Sequence, residues 1–89
     1  MNERREPPVV QERMDKIPPL ALLRVGLVMG EGMKYEDEAT GYVHWKEQSA
    51  EYHLNRALRH AALYMSGDRT EDHAGHVATR ALMWLELLR

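Results

Sequence analysis

The 89-residue chain contains no cysteine. That excludes a disulfide framework and any zinc site built on thiolates. Only Ser49 and Ser66 offer serine hydroxyls, and neither sits in a nucleophile elbow. Covalent catalysis through Ser or Cys therefore has no support. Phenylalanine is also absent, so six Met, four Tyr and two Trp supply the bulky side chains. No apolar run approaches the roughly 20 residues of a membrane span, and no secretory leader is recognisable. A cytoplasmic location is expected. Positive charge is not in excess: twelve Lys+Arg oppose fourteen Asp+Glu, for a net charge of −2. A partner that is a nucleic-acid polymer is not expected from such a balance. Gly30-Glu31-Gly32 is too short to cradle a phosphate as a glycine-rich loop does.

What is present is one small domain. A chain of this length buries only about 60–65% of its unfolded surface, which leaves a lone monomer marginal. Homo-oligomerisation, as a dimer or larger assembly, is the expected remedy. Arginine outnumbers lysine nine to three. That ratio favours planar, bidentate recognition of phosphate or carboxylate.

Residues 1–17 read as a mobile N-terminal arm, charged and carrying Pro7-Pro8 without an apolar period. Residues 18–89 read as a single helical domain. A first helix is predicted to begin near Pro19 or Leu20, because proline suits the first helical position. Leu20, Leu23 and Leu27 recur at helical spacing, and few polar residues interrupt them, so this helix is expected to be mostly buried. Residues 33–46 mix charge with Tyr35, Tyr42 and Trp45, an aromatic-rich loop of the kind that carries function. Residues 47–66 form the clearest helix, with Ala50, Leu54, Ala57, Leu58, Ala61, Ala62 and Met65 as its apolar stripe. His53, His60 and Tyr64 make a separate short stripe on it. Ser66-Gly67-Asp68 ends it. A last helix follows, capped by Asp72 or Thr70 and running to about Leu88, with Ala74, Ala78, Ala81, Leu82, Leu85 and Leu88 apolar. His73, His76, Arg80 and Trp84 lie on its adjacent stripe. The fold class is all-α: about three helices and an aromatic-rich loop, completed by oligomerisation.

Metal-dependent pyrophosphate hydrolysis needs clustered carboxylates on facing helices. Glu3-x-x-Glu6 and Glu12-x-x-Asp15 have the spacing but sit in the arm. Inside the domain, Glu47, Glu51, Asp72 and Glu86 would have to converge, and nothing in their spacing makes them do so. His73 and His76 are i, i+3, and His60 with Asp72 would complete a zinc set. Asp72 precedes His73, however, which is not the His-then-Asp order of metal phosphohydrolases. No catalytic residue, metal ligand or cofactor is assigned on these grounds. Mg²⁺ or Mn²⁺ enters only if the chain is a pyrophosphohydrolase after all.

A binding-site composition remains. Lys34, Arg56, Arg59 and Arg80 suit phosphate. Tyr35, Trp45 and Tyr52 suit stacking on a base, worth about 1–3 kcal/mol per base. His60, His73 and His76 suit phosphate or ribose oxygens. A small anionic nucleotide fits this set better than a polymer, with loop 33–46 as a lid. Replacing Arg59 with Ala is expected to weaken its binding. The alternative without a small ligand is a helical module that binds a protein through exposed Tyr and Met side chains.

The ordered motifs Pro19-Leu20-Ala21-Leu22, Gly32-Met33-Lys34-Tyr35, Trp45, Tyr52, Ala57-Leu58-Arg59-His60, Gly67-Asp68 and Asp72-His73-Ala74-Gly75-His76 resemble a phage family. It is the dATP/dGTP diphosphohydrolase N-terminal domain, similar in helical character to MazG-type nucleotide pyrophosphohydrolases. The resemblance spans roughly residues 16–88 and implies an enzyme acting on purine deoxynucleotides. The chain is also similar in size and Arg/Tyr/Trp content to small phage sponge proteins. Those sequester cyclic-nucleotide immune signals of the CBASS and Thoeris defences without turnover. Arg80 departs from the family pattern, which places a small polar residue such as Asn there; the added cation suits a phosphate-rich ligand.

Overall fold

The computed structural model describes residues 10–32 and 44–89. Three α-helices carry the fold: α1 (Pro19–Glu31), α2 (Ala50–Met65) and α3 (His73–Leu87). Short 3-10 turns lie at Met14–Lys16 and His44–Glu47. No strand forms among the described residues, so the expected all-helical class is the one observed. Residues 1–9 of the expected arm and 33–43 of the aromatic loop lie outside the described residues.

Local chemistry accounts for the helix ends. Proline at the first position of α1 gives up no hydrogen bond there. Ser49 caps α2, its Oγ accepting the Tyr52 N–H at 3.0 Å. Asp72 caps α3 by accepting the Gly75 N–H at 3.0 Å. Gly67, at φ +100°, supplies the left-handed turn that stops α2. The link to α3 is then tightly built. Asp68 Oδ1 accepts the Thr70 N–H, and Arg69 donates to the Tyr64 carbonyl while lying 3.8 Å from the centroid of the Tyr64 ring.

The α2 and α3 helices pack against each other, and α1 rests on α3. The seam between α2 and α3 differs from the apolar stripes predicted for it. The buried residues are Ala50, His53, Ala57 and His60 on α2, and His73, Thr79 and Met83 on α3, with Gly75 of α3 turned to Val28 of α1. Small residues there let the helices approach, and histidines occupy the space between. Leu58, Met65 and Leu85 of the predicted stripes are instead exposed. The first helix also departs from expectation. Val28 is its one buried residue, while Leu20, Leu23 and Leu27 remain 79%, 66% and 71% exposed. Among the described residues, α3 covers the Val28 side of α1 and leaves the leucine face open.

A salt bridge locks α1 to the start of α3. Arg24 Nε donates to Asp72 Oδ2 at 2.9 Å, and its Nη2 reaches Oδ1, a two-pronged pair across 48 residues. The same carboxylate caps α3. The Arg24 guanidinium, with the Gly75 N–H, holds the Asp72 carboxyl down at about 2.

Candidate functional site

Three buried histidines organise opposite ends of the seam. His53 is fully buried. Its Nε2 lies 2.8 Å from the Trp45 carbonyl and its Nδ1 lies 2.9 Å from Arg80 Nη1. A carbonyl only accepts and a guanidinium only donates. The ring is therefore neutral, with its hydrogen on Nε2. It ties the backbone of the 44–47 turn to α2 and orients the Arg80 side chain. The Arg80 guanidinium is half-buried and lies 5.8 Å from the centroid of the Tyr52 ring. The Trp45 ring meets His53 edge-on at 6.1 Å.

Trp45, Tyr52 and Arg80 open onto a cavity of about 900 Å³. Val28, Met29 and Met83 give it an apolar floor, and Glu71, His76 and Thr79 continue the wall. Small-ligand sites combine an apolar lining with a few placed polar groups in this way. Positive charge gathers beside it. Arg56 lies near enough to Arg80 and His60 to act against positive charge on each, and its buried Nε has no hydrogen-bond partner among the described residues.

His60 and His73 organise the other end. Their Nδ1 atoms are 3.0 Å apart, and His73 Nε2 lies 3.1 Å from Asp68 Oδ2. Backbone and side-chain hydrogen bonds from Thr70, with the contact to His73, hold the Asp68 carboxyl at about 2. The His60 ring stacks on that of His76, with centroids 4.6 Å apart and planes 15° from parallel. His76 Nε2 is 3.7 Å from Glu71 Oε1. His60, Glu71 and His76 each bring a donor atom within 4.8 Å of the other two. Among the described residues they are the group of three able to hold a metal ion.

The structure thus gathers Trp45, Tyr52, His76 and Arg80 at one cavity, with Arg56, His60 and His73 behind it. Arg59 is exposed and does not line the cavity. Lys34 and Tyr35 lie outside the described residues. Among the described residues, the carboxylates Glu47, Glu51, Asp72 and Glu86 belong to no metal-binding group, and Asp72 is engaged by Arg24 and the cap. Sequence reasoning missed His53 and Glu71. His53 stood on the same stripe as His60, which was the available signal. Glu71 sits in the α2–α3 link, where no helical period points at it.

Burial drives the His53 pKa below its ordinary value, with nearby Arg80 adding to the effect. The folded protein then binds fewer protons than the unfolded chain just below the ordinary histidine value of about 6.5. This contribution to stability is complete above that pH and declines as pH falls through it. Urea midpoints at pH 7.5 and 5.0 test this: the native chain is expected to lose stability at pH 5.0, and His53→Gln to lose less. Equal losses in both proteins would remove His53 as a source.

A family model described as dATP/dGTP diphosphohydrolase, N-terminal, matches residues 2–89. No curated protein and no solved structure gives a significant match.

Proposed function

The chain belongs to the dATP/dGTP diphosphohydrolase N-terminal family, and on that footing we propose that it binds a small phosphorylated purine nucleotide in the Trp45–Tyr52–Arg80 cavity. The observation that carries this is the Arg80 guanidinium, half-buried at the cavity wall and held by His53 beside two aromatic rings. Base would lie against Trp45 and Tyr52, and phosphate against Arg80. Arg56 adds a second positive charge close by. Apolar floor, aromatic wall and half-buried cation suit a nucleotide better than a protein segment.

Two fates for the nucleotide follow. In the first, the protein retains it intact and so sequesters a cyclic nucleotide used as a host anti-phage signal. The lack of a converging carboxylate group among the described residues supports this. In the second, the protein hydrolyses dATP or dGTP to the monophosphate and pyrophosphate. The family description supports that, as does the His60–Glu71–His76 group whose last two members line the same cavity. A second copy of the chain is part of the proposal too, since the uncovered Leu20–Leu23–Leu27 face of α1 is well suited to pairing.

One incubation separates the two fates. Purified protein is mixed with dNTPs, cyclic dinucleotides and cyclic ADP-ribose isomers, with and without Mn²⁺. Free nucleotide is removed, the protein digested, and the released material run on HPLC. Intact nucleotide means capture. A monophosphate that accumulates only with metal means hydrolysis. Recovery of no bound nucleotide and no product would overturn the cavity as a nucleotide site.

A further inference from the structure

We propose that His60, Glu71 and His76 form a binding site for one first-row divalent cation, of the class of Zn²⁺, Co²⁺ or Mn²⁺. Two imidazoles and a carboxylate are a ligand set that such cations accept. Three elements supply it: α2 gives His60, the α2–α3 link gives Glu71, and α3 gives His76. Their donor atoms lie within 4.8 Å of one another without a cation. Bonds of about 2.0–2.2 Å to zinc require donors nearer to about 3.3 Å apart. The movement falls to the least constrained ligand, Glu71, whose side chain is 47% exposed, while His60 is held in the seam.

Hydrogen bonding behind the site prepares the buried ligand. Asp68 is ionised and accepts from His73 Nε2. If His73 carries a single hydrogen, placed there, its Nδ1 holds a lone pair. The facing Nδ1 of His60, 3.0 Å away, must then donate. His60 is left with its lone pair on Nε2. A carboxylate that fixes the tautomer of a metal ligand through hydrogen bonds is the usual outer support of such sites. Here the support runs through a second histidine. Three protein ligands also leave positions free, and Glu71 and His76 belong to the cavity wall. A cation there would meet the phosphates of a nucleotide whose base lies toward Trp45. That use of the site rests on the nucleotide proposal; the site itself does not.

The test uses the full chain and metal alone. Protein stripped with chelator is titrated with Zn²⁺ by calorimetry and with Co²⁺ by visible absorption. One ion per chain is expected, with Co²⁺ bands of four- or five-coordination. Glu71→Gln and His76→Ala should each weaken Zn²⁺ by about 100-fold or more, since loss of an outer partner alone costs about 10–100-fold. Circular dichroism checks their folding, and both positions are open enough to solvent for the variants to fold. Imidazole ¹⁵N shifts give an independent readout: Zn²⁺ should move His60 and His76 and leave His53 in place. Unchanged affinity in both variants, or unmoved His60 and His76 signals, would overturn the site. Failure of both Zn²⁺ and Co²⁺ to bind in these titrations, with nucleotide still retained, would reject the cation and keep the cavity. Metal binding without nucleotide binding would do the reverse.

Discussion

Arg80→Ala should weaken nucleotide binding by about 100-fold. Removing one partner of a buried, charge-assisted contact costs about 2–5 kcal/mol, and each 1.4 kcal/mol is tenfold in affinity. Arg80 is the cation that the structure both half-buries at the cavity wall and orients, through His53 on one side and the Tyr52 ring on the other. Arg80→Lys keeps the charge but loses the fork, so part of the affinity should survive. Arg59→Ala is the control. Arg59 is exposed away from the cavity, and its removal should change affinity less than twofold, in contrast to the expectation drawn from sequence. Calorimetry with the nucleotide recovered in the incubation described above gives all three affinities, and thermal melting separates binding from folding. Full affinity in Arg80→Ala would remove the residue from the site.

Gly75→Ala should destabilise the fold by about 1–3 kcal/mol, although alanine favours a helix over glycine by about 1 kcal/mol. The reason is space. A Cβ at Gly75 would run into the carboxyl of Asp72 and come within 3.0 Å of Val28 Cγ2. Asp72 caps α3 and grips Arg24, and Val28 is the buried residue of α1. One methyl group therefore disturbs the cap, the salt bridge and the docking of α1 together. For a domain of this size each kcal/mol is worth about 4–8 °C in melting temperature. Gly26→Ala, on the same helix as Val28, meets nothing within 4 Å and should raise the melting temperature slightly. If Gly75→Ala melted no lower than the native protein, the close approach of α1 to α3 at this point would be wrong.

The cavity and the metal-binding group share a wall and draw on different signals. Trp45, Tyr52 and Arg80 were legible only as members of a wider set with Lys34, Tyr35, Arg56, Arg59 and the histidines, because rings and cations suit a base and a phosphate. Their convergence was not legible. Residues 45, 52 and 80 belong to a turn and two helices, and only the packing of α2 on α3 brings them to one opening. The fully buried His53 makes that packing specific, since it satisfies Trp45 and Arg80 at once. Glu71 illustrates the opposite case. A lone acid in a link has no period and no motif, and it becomes a candidate ligand only because the Asp68–Thr70 turn delivers it opposite His76.

Sequence by itself determined the number of helices, their class and most of their ends. Those depend on neighbours along the chain: proline at position 19, glycine at 67, and an acid at 72 that accepts a hydrogen bond three residues on. It also determined the family, through motifs spread along the chain. Tertiary structure alone decided which face of each helix turns inward. Periodicity defines two stripes on α2, one of alanine and leucine and one of histidine, and says nothing about how they are shared between core and surface. Area buried favours the leucines. The histidines prevail in the seam because each finds a partner there: His53 with Arg80 and Trp45, His60 with His73, and His73 with Asp68. A polar group with its hydrogen bonds satisfied is buried at little cost. Those partners lie 5 to 27 residues away, and folding alone brings most of them within reach.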